Sequence, residues 1–301
     1  MAGASGFLGT GLADRLRGQG HDITRLVRRP PAAPDEASWQ PSQGQLDPAL
    51  LVGADAVINL AGANVGDHRW TAAYKSKLRS SRVDTTGTIA RAIRLLPEAD
   101  RPRTLLQSSA IGWYGDTGDR EVTEEAPAGN TFLADLCRVW EAAARPAEDA
   151  GTRLVLLRSG LPLDAGGGII KPLVLPFRLG GGAKIGGGRQ WLPWIALPDW
   201  MDAVVFLLER DDIAGPVNVV GPEPVTNSEF TRAFAHVLRR PALLSIAGFA
   251  LDLGLGEFAG ELQRSYRVIP GVLRRAGFRW EHPTIESTLR AALAPRQNVA
   301  A

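Results

Sequence analysis

The segment Gly3-Ala-Ser-Gly-Phe-Leu-Gly9 opens the chain and has the spacing G-x-x-G-x-x-G. A turn of this kind needs its first glycine for a tight bend and its second for close approach of backbone N–H groups to a diphosphate. The third glycine lets the following helix pack against a strand. Leu8, Leu12 and Leu16 recur every four residues, which predicts an amphipathic helix that begins in the turn. The segment therefore predicts the strand-to-helix turn of a dinucleotide-binding fold.

Stretches typical of strands recur along the first half of the chain, and the near-continuous apolar run at residues 54–62 is typical of a strand buried on both faces. They alternate with stretches of helical periodicity, and they cover residues 22–29, 54–62, 103–110 and 152–160. Strands that alternate with helices predict crossover connections and a doubly wound parallel sheet. We therefore predict an α/β fold of the Rossmann type, followed by a smaller and mainly helical C-terminal substrate region.

The chain is expected to divide near residue 160. Residues 1–160 form the predicted nucleotide-binding domain, and residues 199–225 are expected to return to it with a helix and a strand. Residues 161–301 are predicted to supply substrate-region loops and a small C-terminal helical domain. The beginning of this region is rich in glycine and proline, which favours loops.

The strand that should lead into the glycine turn is reduced to a remnant, because only Met1 and Ala2 precede Gly3. In sheets of this type that strand is central, and a truncated one leaves two strand edges unpaired. Either further residues lie upstream or the sheet closes differently, and we favour the first alternative. For the chain as given we expect low stability and weak nucleotide affinity.

Two arginines indicate which dinucleotide binds. Arg28 and Arg29 end the second predicted strand, about 20 residues beyond the turn, where proteins that bind NAD carry Asp or Glu for the ribose 2′-hydroxyl. Guanidinium groups instead bind a 2′-phosphate through charge-assisted hydrogen bonds. Alone, the pair would be interpreted as a solvated strand end. Beside the glycine turn it favours NADP(H) as the cofactor.

Composition argues against several other classes of protein. The single cysteine rules out a disulfide framework, and the four histidines are scattered, so no metal site is predicted. The net charge of +2 arises from interspersed charges, unlike the basic patches of nucleic-acid-binding proteins. The sequence shows neither a long apolar run nor a leader pattern. We expect a cytoplasmic protein with no nucleic-acid partner and no membrane contact.

Nine short motifs, spread over nearly the whole chain, together resemble those of one protein family. They are Gly3–Gly9, Ala56–Gly62, Ser80–Val83, Ser108–Asp116, Val122–Glu125, Leu136–Glu141, Leu157–Gly160, Gly188–Trp191 and Gly221–Asn227. With these motifs the chain resembles the atypical extended short-chain dehydrogenase/reductases, in the NAD-dependent epimerase/dehydratase-like group that carries a C-terminal domain of unknown function. The resemblance implies a Rossmann-type NADP(H) domain. The expected cofactor contacts are Gly3, Ser5, Gly6, Phe7, Leu8, Gly9, Arg28, Arg29, Leu60, Ala61, Gly62 and Ser108.

The resemblance also implies an unusual active site. Extended members of the superfamily use a Tyr-x-x-x-Lys pair, in which the lysine lowers the tyrosine pKa for acid–base catalysis. Alignment on Glu141 places Leu133 and Cys137 at these two positions, and neither can do that work. The resemblance puts Ser109 at the position of the catalytic Ser/Thr, and Tyr114 is the phenol nearest the expected nicotinamide. Ser109 and Tyr114 are therefore the predicted catalytic residues.

Other groups are weaker candidates for chemistry. Glu124 and Glu125 could supply a carboxylate, although adjacent glutamates are more often a solvated turn. Cys137 could supply a thiol, although a helical cysteine is more often a small buried hydrophobe. Ser109 could equally satisfy backbone groups at a strand end, and Tyr114 could pack against Trp113.

Aromatic and amide side chains suggest where the substrate lies. Trp113 follows the predicted strand at 103–110, which contains Ser109. Gln190 and Trp191 follow a glycine triplet in a segment suited to cover a ligand. We predict that all three contact a small-molecule substrate. The apolar residues at 249–258 are assigned to the core or to the surface of a homodimer.

Three functions remain open from the sequence. The first is an NADP(H)-dependent oxidoreductase or epimerase that acts on a small molecule without the usual Tyr/Lys pair. The second is an NADPH-binding sensor or scaffold without turnover, which the loss of the pair favours. The third is an isomerase or cyclase that reuses the pocket without net redox change. A serine hydrolase is disfavoured because the chain has no G-x-S-x-G turn.

Overall fold

Alternating strands and helices form the first half of the molecule in the computed structural model, which describes residues 1–294. Their bounds are α1 (Phe7–Gly18), β1 (Arg25–Val27), β2 (Glu36–Ser38), β3 (Ala56–Asn59), α2 (Ala72–Leu95), β4 (Thr104–Ala110), α3 (Phe132–Ala142), α4 (Arg145–Glu148) and β5 (Arg153–Ser159). α3 and α4 are separate helices, and Pro146 lies in the first turn of α4.

The second half has short strands and short helices, and they follow in chain order. Their bounds are β6 (Leu161–Leu163), α5 (Lys171–Arg178), β7 (Ala183–Ile185), β8 (Trp191–Leu192), β9 (Trp194–Ala196), α6 (Leu197–Leu208), β10 (Gly215–Val219), β11 (Val225–Thr226), α7 (Asn227–Leu238), β12 (Leu244–Ile246), α8 (Gly248–Leu255), α9 (Phe258–Gln263), α10 (Gly271–Arg275) and α11 (Ile285–Leu293). The strands β6–β9, β11 and β12 pair two by two in small sheets outside the main one.

The main sheet is parallel and has the order β10-β5-β4-β3. β1 and β2 form a parallel pair on its other side, and Ala2 joins the two parts through parallel bridges to Leu26 and Asn59. This order, with the first chain segment at the centre, is that of a doubly wound Rossmann-type sheet. The α/β prediction is confirmed, and β10 lies in the same sheet although it comes from the second half of the chain.

The central strand consists of little more than Met1 and Ala2. Ala2 N–H donates to the Ile58 carbonyl (2.9 Å), and Leu26 N–H donates to the Met1 carbonyl (2.8 Å). Next to Met1, a groove of about 660 Å³ is lined by residues of β1 and β3 and of the segments that precede them. The lining includes apolar side chains such as Ile23 and Val57.

Alternating residues of the strands separate the core into two layers. Leu105 and Leu154 face one layer, where they meet Ile89 and Ile93 of α2. The next residues along these strands face the other layer, against leucines of α1 and a tryptophan of α6. Both faces of the sheet are therefore covered by helices, which explains why its strands are continuous apolar runs. The carboxyl ends of the strands remain as the edge where ligands bind in such folds.

The division into domains near residue 160 and the homodimer are not tested by the fold, and both stay predictions. Phe249 (71% exposed) and Leu253 (76% exposed) lie at the surface, so they are not part of the core. Residues 295–301 of the predicted C-terminal domain lie outside the described residues. Across residues 1–294, no helix combines the length and the apolar character that a bilayer crossing requires.

Candidate functional site

The glycine turn lies between the central strand remnant and α1, and close backbone contacts enclose it. Gly3 has φ +75°, and a Cβ added there would lie 2.7 Å from the carbonyl carbon of Leu60. A Cβ at Gly9 would lie 2.1 Å from the Gly3 carbonyl oxygen. Gly6 N–H donates to that same oxygen (3.1 Å). Glycine is therefore required by the packing of the turn at Gly3 and Gly9, as the sequence spacing predicted.

The amino end of α1 presents free backbone donors at this turn. The N-cap residue is Gly6, which has no side chain that could accept a hydrogen bond from the first N–H groups of the helix. The first turn carries no acidic side chain either. The first N–H groups of a helix have no intrahelical acceptor and lie at the positive end of its dipole. An anionic diphosphate fits these donors, and no side chain at Gly6 obstructs them.

The remaining side chains of the turn have distinct surroundings. Ser5 is exposed, and Leu8 packs on the core layer beneath α1. The Phe7 ring lies against the segment after β6, since a Cβ at Gly167 would be 2.3 Å from the ring. The segment at 167–168 therefore packs directly on the first residue of α1.

The two arginines after β1 differ in what they contact. Arg29 donates two hydrogen bonds to the Glu36 carboxylate (2.7 and 2.8 Å), and this pairing lowers the pKa of Glu36 to about 2. Arg28 is exposed and makes no hydrogen bond or ion pair within the described part of the chain. Arg28 is thus free to bind an anion. Arg29 could bind one only through N–H groups that do not already donate to Glu36.

Polar side chains hold the turn after β3. Asn59 Nδ2 donates to Gln107 Oε1 (2.9 Å), and Asn59 Oδ1 accepts from the Ala61 N–H (3.1 Å). Leu60 N–H donates to the Ala2 carbonyl (3.0 Å). These bonds place the predicted contacts at residues 60–62 beside Gly3, so the structure brings both backbone segments to one side of the same cleft.

The two serines at the end of β4 point to opposite faces of the sheet, as successive strand residues do. Ser109 is buried, and its hydroxyl donates to Glu141 Oε1 (2.6 Å). The hydroxyl of Ser108 makes no hydrogen bond within residues 1–294, and the residue is half-buried. Of the two, Ser108 is the one with a free hydroxyl.

A buried network binds both predicted catalytic residues. Arg158 donates to both carboxylate oxygens of Glu141 (2.9 and 3.0 Å) and to the Tyr114 hydroxyl (3.1 Å). Tyr114 donates in turn to Asn218 Oδ1 (2.6 Å). The hydroxyl hydrogens of Ser109 and Tyr114 are both committed to protein acceptors, and burial raises the pKa of Tyr114 to about 12. The geometry supports a positioning role for both residues more readily than proton transfer.

The two adjacent glutamates also separate. Glu124 is buried, and its Oε1 accepts the Asn218 N–H (3.0 Å) and the Val272 N–H (3.1 Å). Its Oε2 lies buried without a hydrogen-bond donor, 2.6 Å from where a Cβ at Gly271 would stand. Glu125 is exposed. Glu124 therefore joins the network to the segment at 269–272.

The positions aligned with the Tyr/Lys pair contain apolar groups. Leu133 and Cys137 face the turn after β4, since a Cβ at Gly112 would lie 3.0 Å from Leu133 Cβ and 3.8 Å from Cys137 Sγ. Cys137 Sγ donates weakly to the Ala110 carbonyl (3.6 Å). Burial raises the pKa of the thiol to about 12, which disfavours the reactive thiolate.

The predicted substrate contacts have separate surroundings, and of the three only Trp191 is hydrogen-bonded to the segment at 265–268, where its backbone N–H donates to Ser265 Oγ (3.1 Å). Trp191 Nε1 donates to Asp119 (2.9 Å), and the Arg267 guanidinium lies over its ring (4.4 Å). Gln190 Nε2 donates to the backbone carbonyl of residue 185 (3.3 Å). The Trp113 ring instead stacks under Arg158 (3.9 Å). Each tryptophan therefore packs against a different arginine, Trp191 against Arg267 and Trp113 against Arg158.

Sequence reasoning missed three residues of the site, namely Arg82, Arg158 and Asn218. Arg158 had a detectable signal, since it interrupts the apolar run of β5 and a buried arginine requires a partner. Arg82 lies in the motif Ser80–Val83, but the motif alone assigns it no role. Asn218 carried no local signal, because its partners are distant in sequence.

Three carboxylates also meet where no metal was predicted. Oxygens of Asp199, Asp202 and Glu281 lie within 4.8 Å of one another. Two of the three already have partners: Asp202 pairs with Arg15, and Asp199 accepts the N–H groups of Glu281 and His282 (2.9 and 3.0 Å). These interactions explain the cluster as a connection between α6, α1 and the segment at 281–282.

The glycine turn, the parallel sheet order and the free amino end of α1 together define a Rossmann-type dinucleotide-binding fold. Residues 1–221 match the NAD dependent epimerase/dehydratase family, and residues 246–292 match a domain of unknown function (DUF1731). The chain belongs to the NAD dependent epimerase/dehydratase family. The resemblance inferred from the motifs is thus confirmed.

Similar proteins match over nearly the full length of the chain. Epimerase family protein Mb2239 of Mycobacterium bovis is 43% identical over 290 residues, covering 96% of this chain and 95% of that protein. The crystal structure of human epimerase family protein SDR39U1 with NADPH has a TM-score of 0.89 at 32% identity, covering 97% of each chain. A nucleoside-diphosphate sugar epimerase from Corynebacterium glutamicum has a TM-score of 0.80 at 32% identity, covering 97% of this chain and 57% of that one.

Proposed function

We propose that this chain binds NADP(H) at the glycine turn and acts as an NADP(H)-dependent oxidoreductase or epimerase on a small molecule. The glycine cradle carries the proposal. Its backbone is enclosed so closely that side chains at Gly3 and Gly9 are excluded, while uncapped N–H groups of α1 face the turn. The NADPH in the crystal structure of human SDR39U1 supports the choice of cofactor.

The residues present fit the cofactor at both ends of its adenosine half. Backbone donors of α1 would bind the diphosphate, and Arg28 would bind the 2′-phosphate beyond β1. Arg29 is held beside it by Glu36, which compensates its charge, so Arg28 would be the main cation for the 2′-phosphate. When bound, the nicotinamide would supply or accept a hydride, and the carboxyl ends of β3 and β4 would lie beside it.

Replacing Arg28 by methionine is expected to weaken NADPH binding about 10-fold or more, since one charge-assisted contact contributes about 1.5–3 kcal/mol. NADH lacks the 2′-phosphate, so its affinity should stay unchanged. Calorimetric titration with both nucleotides measures the two constants. The matched control is Arg79→Met, because Arg79 is also exposed and lies on α2. Equal losses for NADPH and NADH would contradict the assignment of Arg28.

The substrate is expected to lie at the carboxyl edge of the sheet, among the predicted contacts Trp113, Gln190 and Trp191. The similar protein from Corynebacterium glutamicum is described as a nucleoside-diphosphate sugar epimerase, which supports a small-molecule substrate. Ser109 and Tyr114 would act by holding the loop after β4 through the buried arginine network. Under this proposal neither hydroxyl must ionise during turnover.

The variant Tyr114→Phe separates the positioning role from a catalytic one. Loss of the hydroxyl removes the hydrogen-bond donor to Asn218 Oδ1 and the acceptor for Arg158 Nη1, both of which are buried. The free energy of unfolding should therefore fall by about 1–3 kcal/mol. NADPH affinity should remain within about twofold of the unmodified protein. Urea denaturation and calorimetry measure the two quantities. A stable variant that turns over substrate about 100-fold more slowly at saturating cofactor would instead assign proton transfer to Tyr114.

A second candidate is an NADPH-binding sensor without turnover. The apolar character of Leu133 and Cys137, where the superfamily carries its acid–base pair, favours this alternative. It predicts NADPH binding without oxidation across a panel of carbonyl compounds and nucleotide sugars, together with a cofactor-dependent change in hydrogen exchange. Absorbance loss at the nicotinamide band with any panel member would exclude it.

A further inference from the structure

The strand β12 is an edge strand whose outer side faces solvent. It forms a two-stranded parallel sheet with β7 and, among the described residues, pairs with no other strand. All three of its residues are exposed. Gly186 N–H donates to the Ile246 carbonyl (2.8 Å), so that carbonyl points towards β7. Because backbone groups alternate in direction along a strand, the N–H and C=O of Ser245 point away from β7 and are available to another strand.

Nothing in the sequence around this edge blocks the approach of a second strand. Edge strands that stay unpaired are commonly protected by a charged side chain, a proline or a β-bulge. Residues 242–251 contain neither a charged residue nor a proline. The register of β12 with β7 is regular, so β12 has no bulge. Two copies of this segment can therefore approach each other without like-charge repulsion.

An apolar surface continues from β12 into α8. Six large apolar residues within this segment are between 36% and 90% exposed, namely Leu243, Leu244, Ile246, Phe249, Leu253 and Leu255. At about 200 Å² for a fully exposed residue of this size, they amount to roughly 700 Å², close to the about 800 Å² that each partner buries in a stable dimer. An apolar patch of this extent on a single chain marks an interaction surface.

We propose that two copies of this chain pair through β12 in antiparallel orientation about a two-fold axis, and that the same contact covers the apolar residues of α8. Antiparallel pairing of a strand with its own copy is symmetric, so one patch on each chain is covered and the assembly closes as a dimer. With Ser245 on the axis, its N–H donates to the carbonyl of the partner's Ser245, and the partner's N–H donates back. The pairing does not depend on NADP(H) binding.

A lipid bilayer is the other partner that an apolar surface could take, and the chemistry of the segment favours a second copy. Helices that lie on membranes carry lysine or arginine beside their apolar face. The helix α8 contains neither residue. The outward backbone groups of Ser245 also need hydrogen-bond partners, which lipid tails do not supply. A second β12 supplies both the apolar contacts and these partners.

Sedimentation velocity measures the association of the unmodified protein, for which we expect the mass of two chains in the micromolar range. Leu253→Lys and Ser245→Pro should each raise the dimer dissociation constant about 100-fold or more, because a two-fold interface contains each change twice. Proline at 245 removes an N–H that β7 does not use, so the fold should tolerate it. The matched control is Leu95→Lys at the end of α2, since Leu95 (75%) and Leu253 (76%) are equally exposed. This control should leave the dissociation constant unchanged.

A thiol at the proposed axis tests the register. Residues opposite each other in a hydrogen-bonded antiparallel pair have Cα atoms about 5.5 Å apart, a separation that a disulfide can span. Oxidised glutathione should therefore convert Ser245→Cys into a covalent dimer on a denaturing gel. Ser80→Cys is the control, because Ser80 is exposed on α2, and it should give no covalent dimer. The native Cys137 is buried in both variants.

A monomeric protein throughout the micromolar range would overturn the proposal. A dimer that both Ser245→Pro and Leu253→Lys leave as tight as Leu95→Lys does would also overturn it, and would place the interface elsewhere. Binding of a monomeric protein to phosphatidylcholine vesicles, lost in Leu253→Lys, would assign the surface to a membrane instead. Should the variants not fold, hydrogen exchange of the unmodified protein decides the question. Amides at 243–247 should exchange more slowly as the protein concentration rises, and concentration-independent exchange would contradict the pairing.

Discussion

Replacing Glu141 by leucine is expected to lower the free energy of unfolding by about 3–5 kcal/mol, because it leaves the buried guanidinium of Arg158 without its carboxylate. Arg158 is 3% exposed, and both carboxylate oxygens of Glu141 accept from it. The Ser109 hydroxyl loses its acceptor in the same change. Urea denaturation followed by tryptophan fluorescence measures the loss.

Two further variants make this test specific. Glu148→Leu removes an exposed carboxylate that lies 3.5 Å from Arg145, and it should change stability by less than about 1 kcal/mol. Combining Glu141→Leu with Arg158→Met removes both charges and should recover part of the loss, since the uncompensated cation is gone. If Glu141→Leu costs no more than Glu148→Leu, the network does not hold this part of the fold together.

Replacing Gly9 by alanine is expected to weaken NADPH binding by about 100-fold or more, because two or more backbone donors to the diphosphate are lost at about 1.5–3 kcal/mol each. The added Cβ would meet the Gly3 carbonyl oxygen at 2.1 Å and the Ala4 Cα at 2.7 Å, and both are backbone atoms that side-chain rotation cannot move. The amino end of α1 must therefore shift away from the turn. Calorimetric titration with NADPH measures the loss of affinity.

The control for this prediction is Gly18→Ala at the other end of the same helix. A Cβ there meets nothing within 4 Å. Alanine should leave NADPH affinity unchanged and raise stability by about 0.5–1 kcal/mol, because it restricts the unfolded chain. Unchanged NADPH affinity in a folded Gly9→Ala protein would mean that the glycine turn is not the binding site.

Features with a local sequence signal were predictable. The glycine spacing indicated the turn, and continuous apolar runs indicated β3, β4 and β5, because strands buried on both faces require such runs. Thr226 and Glu229 form a capping box at the start of α7, and their spacing in the sequence is the local signal for this helix. The strands β6–β9, β11 and β12 had no periodicity to detect, since two or three residues cannot define a repeat.

The candidate site was predictable only in part, because much of it depends on long-range contacts. The family resemblance placed Ser109 and Tyr114 near the expected nicotinamide. What their hydroxyls contact depends on Glu141, which lies 32 residues after Ser109, and on Asn218, which lies 104 residues after Tyr114.

The difference between the two arginines after β1 also depends on a contact that the sequence does not show. Arg28 and Arg29 are adjacent and identical in type, so no local pattern separates them. Glu36, seven residues beyond Arg29, pairs with it and leaves Arg28 free in the structure. β1 and β2 lie side by side with Glu36 opposite Arg25, the first residue of β1, and the Arg29 side chain beyond β1 reaches the same carboxylate.

The glycine turn and Arg28 together form the proposed NADP(H) site. Titration of the unmodified protein with NADPH and, separately, with NADH tests it most directly. We predict saturable NADPH binding with one nucleotide per chain, and an NADH affinity about tenfold or more weaker, equivalent to about 1.4 kcal/mol for the 2′-phosphate. Absence of binding by both nucleotides, or tighter binding of NADH, would contradict the account.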